Sequence, residues 1–234
     1  MYLSRHNTPH GPRWALDGKA LPDSFSLGLL LELPQAAIAG FLNSIPTGQA
    51  LSGDLLPPLE ARHEVWACGV TYLISRDARR AESSVADVYS KVYDAPRPEI
   101  FFKASGWRVV GSGQSIRIRR DSTWNVPEPE LTLVVNRHLE IVGFCAGNDV
   151  SSRDIEGENP LYLPQAKTYN QSCALGPGIQ LTDVDALRDI PLKLAIQRAG
   201  QAVFKGEIRS SQMKRTPEEL VADIVEAVPV PVEA

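Results

Sequence analysis

The sequence predicts an α+β protein that is mostly β-structure. Short apolar or alternating runs bounded by turn residues recur from residue 65 to residue 208, which is typical of β-strands. Ala199-Gly200 separates the last two runs as a tight hairpin turn would. Helical patterns are few. The clearest has Thr216 as N-cap, a proline at the first helical position and Glu219 completing a capping box. Many strands and few helices therefore indicate a fold built on sheets.

The individual elements follow from the same patterns. Before residue 64 the patterning is weak: residues 27–31 look like a strand, residues 35–43 are a short helix candidate, and Pro57-Pro58 marks a connector. Further strands are expected at residues 65–70, 100–103, 115–119, 131–135, 141–146, 178–181, 192–198 and 201–208. Further helices are expected at residues 76–88 and 216–228. This division predicts a small N-terminal lobe over residues 1–64 and a main domain over residues 65–234.

Three carboxylates are predicted to converge on one hairpin. Side chains alternate faces along a strand, so Glu128 and Glu130 project together. A two-residue loop at 137–138 pairs Glu128 with Gly147, and a loop at 138–139 pairs it with Asp149. Both registers place Asp149 on the face of the glutamates.

A cation is the expected partner of this cluster, because three carboxylates in contact repel one another. All-oxygen anionic ligands suit Mg²⁺ first, with Ca²⁺ and Mn²⁺ as alternatives. The simpler alternative is that Glu128-Pro129-Glu130 protects the edge of a sheet from unwanted pairing.

The composition narrows the class of protein. The 234 residues are 43% hydrophobic and 22% charged, as in ordinary globular proteins. A net charge of -4 argues against a nucleic-acid-binding protein. Cys68, Cys145 and Cys173 are widely spaced, which favours buried free thiols in a reducing cytoplasm over a disulfide or a zinc site. No segment has the pattern of an export signal or a membrane span, so a cytoplasmic protein is expected.

A family resemblance is carried by Glu128-Pro129-Glu130 together with Asn148-Asp149-Val150-Ser151-Ser152-Arg153-Asp154. This pattern resembles the fumarylacetoacetate hydrolase superfamily, and the likeness covers roughly residues 65–213. The segment Glu158-Asn159-Pro160-Leu161-Tyr162-Leu163-Pro164-Gln165-Ala166-Lys167 is most similar to the 2-keto-3-deoxy-arabinonate dehydratase branch. The resemblance implies a mixed β-roll or sandwich in which Glu128, Glu130 and Asp149 hold Mg²⁺ or Ca²⁺ beneath a 2-oxo acid or β-diketone.

The resemblance also implies an enzyme that acts on a small 2-oxo acid. A metal ion that polarises the keto group acidifies the protons at C3, and the resulting enolate can expel a C4 hydroxyl as water. The prediction is therefore a Mg²⁺-dependent dehydratase (a lyase) of a 2-keto-3-deoxy sugar acid. A hydrolase of carbon–carbon bonds in acylpyruvate-type substrates is the runner-up, and an inactive metal-binding scaffold is the third alternative.

Three basic residues are candidates for contact with the substrate. By resemblance, Lys167 contacts the keto or carboxylate end of the substrate. Lys103 follows two phenylalanines at a strand end and is a second candidate cation. Arg153 either supports Asp149 or Glu156, or binds the substrate carboxylate in bidentate fashion.

The segment at residues 71–82 bears on the type of reaction. Hydrolases of the superfamily typically carry a histidine and a glutamate on a short lid helix there, whereas this segment contains no histidine. That difference favours elimination and leaves Glu82 as the candidate catalytic base. The alternative role for Glu82 is a surface glutamate paired with Arg79.

The C-terminal region bears on the oligomeric state of the protein. Members of the superfamily continue beyond the helix at 216–228 into closing strands, so the roll is expected to be truncated here. An uncovered edge near residues 192–208 then favours a homodimer. The alternative is that the terminal helix covers this edge within one subunit.

Overall fold

The computed structural model describes residues 1–82 and 86–227. Its strands are β1 (Tyr2–Thr8), β2 (Gly11–Leu16), β3 (Lys19–Ala20), β4 (Leu55–Leu56), β5 (Glu64–Gly69), β6 (Glu99–Ser105), β7 (Asn125–Val126), β8 (Pro129–Val135), β9 (Ile141–Asp149), β10 (Ser151–Ser152), β11 (Cys173–Leu181), β12 (Pro191–Arg198) and β13 (Gln201–Arg209). Its helices are α1 (Leu27–Leu30), α2 (Gln35–Ser44), α3 (Leu73–Glu82), α4 (Ala86–Asp94), α5 (Arg153–Glu158), α6 (Leu163–Lys167) and α7 (Pro217–Ala227). The predicted α+β class with predominant β-structure is confirmed.

One antiparallel sheet organises the fold. Its strand order is β3-β2-β1-β11-β9-β8, with β4 added to β1. Three separate strand pairs, β5–β6, β7–β10 and β12–β13, surround it. Strands from residues 1–64 and from residues 65–234 thus share one sheet through the β1–β11 pairing. The domain boundary at residue 64 stays a prediction. Apolar side chains from both segments pack together in one core cluster.

Apolar side chains cover both faces of this sheet. The main cluster joins α1 and α2 to the sheet, for example through Leu30 and Leu42 packed in one core with Cys145. A second cluster around Val221 of α7 contains Phe144. Phe144 and Cys145 are consecutive on β9, so the two clusters lie on opposite faces.

Several predicted elements are confirmed in detail. The predicted hairpin is formed by β12 and β13, with Ala199 and Gly200 both at positive φ in the turn. In α7 the capping box is formed, since the Glu219 amide donates to the Thr216 hydroxyl and the Thr216 amide donates to the Glu219 carboxylate. The helix predicted at 35–43 is α2. The helix predicted at 76–88 corresponds to α3 and α4, with residues 83–85 outside the described part, as is residue 228 of the last predicted helix.

Two strand predictions are wrong. Residues 27–31 contain helix α1, because the Ser26 hydroxyl accepts from the Leu29 amide and caps a helical turn. Residues 115–119 form no strand: Ile118 is 60% exposed, and Arg117 donates its amide to the Gln171 carbonyl outside any strand ladder. Alternation alone is insufficient where no strand lies alongside. Within the described residues no helix is long and apolar enough to cross a membrane.

Candidate active site

The hairpin of β8 and β9 brings the three predicted carboxylates together. Glu130 pairs with Gly147, and the Asp149 amide donates to the Glu128 carbonyl at 2.9 Å. This is the register predicted for a loop at 138–139, although the loop itself spans residues 136–140 and is accompanied by a bulge after Val134. The side chains of Glu128, Glu130 and Asp149 therefore share a face, as alternation along the strands requires.

Lys167 is the central cation of the site. Its buried Nζ lies 3.0 Å from Glu128 Oε2, 2.8 Å from Asp149 Oδ2 and 2.7 Å from the Ser151 hydroxyl. The ammonium also lies 5.4 Å from the centre of the Phe101 ring. Burial opposes its charge, yet the carboxylates of Glu128 and Asp149 hold the pKa of Lys167 above its ordinary value. The residue is thus a fixed positive charge at the end of α6.

Lys103 lies beneath this group and is only 1% exposed. Its Nζ is 2.6 Å from Asp149 Oδ1 and donates to the carbonyls of Val150 at 3.0 Å and Lys167 at 2.5 Å. Burial lowers the pKa of Lys103, and the attraction of Asp149 opposes that shift. Three oxygen partners use the three donors of the ammonium. The geometry places Lys103 as a support for Asp149, while its predicted contact with substrate remains untested.

Two arginines cover Glu128 from the other side. Glu128 Oε1 lies 2.6 Å from Arg79 of α3 and 2.8 Å from Arg153 of α5. Both guanidiniums also approach Glu156, at 3.4 Å and 3.3 Å. Burial opposes ionisation of Glu128, but Lys167 and Arg79 lower its pKa to about 2. Arg153 therefore supports Glu156, one of the predicted alternatives, and it bonds to Glu128 rather than to Asp149.

The predicted base, Glu82, is the last residue of α3. Its carboxylate pairs with Arg153, whereas Arg79 pairs with Glu128 and Glu156. Burial raises the pKa of Glu82, although Arg79 acts against that shift. The side chain does not line the cavity described below. Its catalytic role stays a prediction.

Glu130 and Glu99 carry carboxyl groups whose charge is poorly compensated. Burial, followed by repulsion from Glu128 and Asp149, raises the pKa of Glu130 to about 8. Burial also raises the pKa of Glu99, and the nearby carboxylates add to this effect. A carboxyl group with a pKa of about 8, such as that of Glu130, exchanges protons near neutral pH.

Sequence reasoning missed Glu99, although the strand pattern contained a signal for it. Glu99, Phe101 and Lys103 are alternate residues of β6 and face the same cavity. Counting back by two from Lys103 therefore leads to Glu99. The Glu99 carboxylate lies directly against Gly69, because a Cβ added to Gly69 would be only 2.0 Å from Glu99 Oε2. Any larger residue at position 69 would therefore clash with this carboxylate.

These groups surround one end of a cavity of about 390 Å³. The polar end is lined by Glu99, Glu128, Glu130, Asp149 and Lys167. Apolar side chains complete the lining, among them Leu31, Leu59, Ile179, Leu220 and Val221. A cavity with a few convergent polar groups and apolar walls is the common form of a small-molecule site.

The charges at the polar end test whether a metal ion fits there. The carboxylates are Glu82, Glu99, Glu128, Glu130, Asp149 and Glu156, and the cations are Arg79, Lys103, Arg153 and Lys167. Glu82 and Arg153 lie beside the cavity and not in its wall. With every carboxyl group ionised, the set has two more negative than positive charges, which one divalent ion would balance. In the described part of the chain no set of three acidic, histidine or cysteine side chains is arranged ready to hold a metal. Lys167 lies between Glu128 and Asp149 and forms an ion pair with each of them. The donor chemistry fits a hard divalent ion.

Comparison with known proteins identifies the family. Residues 65–232 match the family described as fumarylacetoacetate (FAA) hydrolase C-terminal. The chain belongs to this family. The resemblance stated from the sequence is confirmed, and the curated relatives are dehydratases of the branch that it indicated.

Two curated relatives are similar over most of this chain. A probable 2-keto-3-deoxyxylonate dehydratase of Haloferax volcanii is 51% identical over 166 residues, which are 70% of this chain and 57% of the relative. A 2-dehydro-3-deoxy-D-arabinonate dehydratase of Saccharolobus solfataricus is 43% identical over 174 residues, 72% of this chain and 58% of the relative. The chain thus spans less than two thirds of the length of these relatives.

Solved structures match the fold over nearly the whole chain. A hexagonal crystal form of 2-keto-3-deoxyarabinonate dehydratase has a TM-score of 0.79 at 31% identity, covering 99% of this chain and 84% of that one. The same kind of enzyme complexed with magnesium and 2,5-dioxopentanoate has a TM-score of 0.76 at 30% identity, with the same coverage. The β-roll fold expected from the resemblance is therefore confirmed.

Proposed function

We propose that the protein is a Mg²⁺-dependent dehydratase of a 2-keto-3-deoxy sugar acid. The observation that carries the proposal is the carboxylate-rich end of the cavity around the buried Lys167. Similarity to two sugar-acid dehydratases, and to a dehydratase structure with magnesium and 2,5-dioxopentanoate, supports the same reaction. The residues at 71–82 lack the histidine expected of the hydrolases, so hydrolysis of acylpyruvates is not favoured.

We propose Glu128, Glu130 and Asp149 as the ligands of one Mg²⁺ ion, with Ca²⁺ or Mn²⁺ as substitutes. Crowding of these carboxyl groups, expressed in the raised pKa of Glu130, supports a cation at this place. When bound, such an ion supplies Lewis-acid polarisation of a 2-oxo group.

The chain's own groups then have separate tasks. Lys167 provides a permanent positive charge for the keto or carboxylate oxygen of the substrate, and it would exchange one of its partners Glu128, Asp149 and Ser151 for that contact. A carboxylate removes a proton from C3, and a protonated carboxyl gives a proton to the C4 hydroxyl, which leaves as water. The C3–C4 double bond left by this elimination shifts to C4–C5 as C5 loses a proton and C3 gains one. The resulting enol becomes the C5 aldehyde when its hydroxyl loses a proton and C4 gains one, so a 2-keto-3-deoxy-pentonate yields 2,5-dioxopentanoate and one water.

Glu99 and Glu82 are the two candidates for the base. The raised pKa of Glu99 and its position in the cavity wall favour Glu99. Glu82, the base predicted from the sequence, is paired with Arg153 and would have to leave that partner to reach a substrate. Arg153 and Lys103 are already held by carboxylates, which favours supporting roles over direct contact with substrate.

Incubation with 2-keto-3-deoxy-pentonates and Mg²⁺, followed by detection of 2,5-dioxopentanoate, tests the proposal. We expect turnover that stops when the metal is chelated. Cleavage of acylpyruvates without dehydration would assign the protein to the hydrolases. Tight Mg²⁺ binding without turnover of either substrate would indicate an inactive scaffold.

Calorimetry tests the metal ligands separately. Glu130→Gln removes one anionic ligand, so Mg²⁺ affinity should fall while the fold is retained. Unchanged Mg²⁺ affinity in this variant would contradict the site.

We also propose a homodimer in the cytoplasm. The β12–β13 hairpin exposes Val203 and Phe204 at 55% and 51%, an apolar surface that a second copy would cover. The three cysteines are free, as in proteins of reducing compartments. Light scattering should give twice the chain mass, and a value near 25.6 kDa at micromolar concentration would contradict the dimer.

A further inference from the structure

Helix α3 is attached to the protein without burying any of its residues. None of the residues from Leu73 to Glu82 is buried, and Leu73 and Ile74 are 48% and 66% exposed. Ion pairs provide the contacts with the site instead: Arg79 reaches Glu128 and Glu156, and Glu82 reaches Arg153. A segment with few buried apolar contacts opens at low free energy.

The oxygens of Glu128 are already engaged by cationic side chains. Oε1 lies 2.6 Å from Arg79 and 2.8 Å from Arg153, and Oε2 lies 3.0 Å from Lys167. A carboxylate oxygen offers about two lone-pair sites. Both sites of Oε1 are thus in use while α3 is docked, and only Oε2 retains one.

We infer that Arg79 is a positioning residue that couples the docking of α3 to occupancy of the metal site. A metal ion at the remaining site of Glu128 Oε2 and the Arg79 guanidinium at Oε1 would place two positive charges on one carboxylate, where they repel each other. Metal binding therefore weakens the attachment of α3, and attachment of α3 weakens metal binding by the same factor. The inference rests on the proposed function, because it takes Glu128 as a metal ligand.

Arg79, rather than Arg153 or Lys167, is the partner able to leave. The side chains of Arg153 and Arg79 are similarly enclosed, at 7% and 11% exposed, but the backbone of Arg153 is fixed by the bond of its amide to the Trp124 carbonyl at 2.7 Å. Lys167 is held by Asp149 and Ser151 as well as by Glu128. Arg79 is carried by a helix without buried residues, so its withdrawal breaks ion pairs and leaves the core intact.

The exposed neighbour Arg80 provides a matched control, since Arg79→Gln and Arg80→Gln remove the same charge from the same helix. Calorimetric titration with Mg²⁺ alone should show roughly tenfold tighter binding in Arg79→Gln, because a positive charge in contact with a ligand is removed. Binding to Arg80→Gln should match the wild type. Arg79→Lys, which keeps the charge, should fall between the two.

Hydrogen exchange supplies a readout that is independent of activity. In the wild type and in Arg80→Gln, Mg²⁺ should accelerate amide exchange in residues 73–82. In Arg79→Gln, exchange should be fast already and insensitive to Mg²⁺. Equal Mg²⁺ affinity in all variants, or slower exchange with Mg²⁺, would overturn the coupling alone. Absence of Mg²⁺ binding in every variant would overturn the proposed metal site and the coupling together.

Discussion

The charged groups of the site come from two regions that are built differently. Strands β6 and β9 and helix α6 supply Lys103, Asp149 and Lys167, which are 1%, 7% and 3% exposed and bonded to one another. Helix α3 supplies Arg79 and Glu82 and has no buried residue. The first region is fixed by packing, whereas the second is held by ion pairs. The difference indicates that the site combines a rigid platform with an adjustable cover.

The platform should be the more sensitive of the two regions. Lys167→Met leaves Glu128 and Asp149 without their shared cation, and breaking a buried ion pair in this way costs roughly 3–5 kcal/mol of folding free energy. We expect activity to fall at least about 1,000-fold, because charge stabilisation and substrate contact are lost together. Urea unfolding and dehydratase assays measure both effects. Lys205→Met, at an exposed position, is the control and should change neither.

The catalytic base belongs either to the platform, as Glu99, or to the cover, as Glu82, and substitution of each residue distinguishes the two. If Glu99 on β6 is the base, Glu99→Gln should lower kcat by roughly 10²–10⁴-fold, the usual range for loss of general acid–base catalysis. Glu82→Gln should then change kcat far less, because Arg153 keeps its other carboxylate partners, Glu128 and Glu156. Steady-state kinetics of both variants decide the question, and the reverse order of effects would assign the base to α3.

The pH dependence of stability should reveal Glu130 in chelator-treated protein. Its carboxyl group ionises near its ordinary value of 4.5 when unfolded and near 8 when folded, so the associated stability is present below pH 4.5 and is lost as pH rises to 8. The Glu130→Gln variant has no carboxyl group to ionise at this position and does not lose this stability. Above pH 8 its free energy of unfolding should therefore exceed that of the wild type by a few kcal/mol, at about 1.4 kcal/mol per pKa unit. Urea unfolding across this pH range measures the difference. Parallel stability curves would contradict the raised pKa.

Salt should affect the cover and spare the platform. The ion pairs of α3 are less deeply buried than those of the platform, since the side chains of the Arg79–Glu128 pair are 11% and 17% exposed and those of the Lys167–Asp149 pair are 4% and 8% exposed. The more exposed a pair is, the more strongly salt screens it. Raising sodium chloride from about 0.05 to about 0.5 M shortens the screening length severalfold, so amide exchange in α3 should accelerate a few-fold. Exchange in β9 and β11 serves as the internal reference and should stay constant. Equal acceleration in both regions would mean that α3 is not held chiefly by charge.

The geometry of the platform could be predicted from the sequence more readily than the contacts of the cover. The face shared by Glu128, Glu130 and Asp149 follows from strand alternation and holds in either register, so the hairpin could be predicted without the structure. The capping box of α7 is likewise a local pattern. The pairing of Arg79 with Glu128 joins a helix to the residue just before β8, 49 positions further along the chain, and no local pattern specifies such a contact.

The N-terminal strands were missed for a related reason. β1 and β2 are stabilised by pairing with each other and with β11, which lies about 170 residues further along the chain. Their sequences mix polar and apolar residues with little periodicity, so the long-range pairing decides the structure. Residues 115–119 show the converse, because a clear alternation remains without a neighbouring strand.

The absence of buried residues in α3 also has a consequence for how this protein can diverge. Apart from Arg79 and Glu82, which form the ion pairs with the site, substitutions in the helix remove no buried contact, and surface changes of this kind typically alter stability by less than about 0.5 kcal/mol. Selection can therefore vary the groups presented over the cavity while the hydrophobic core stays unchanged. The other residues of α3 tolerate substitution, and the helix also lies over the cavity. The helix is therefore the segment to randomise when a new substrate range is sought.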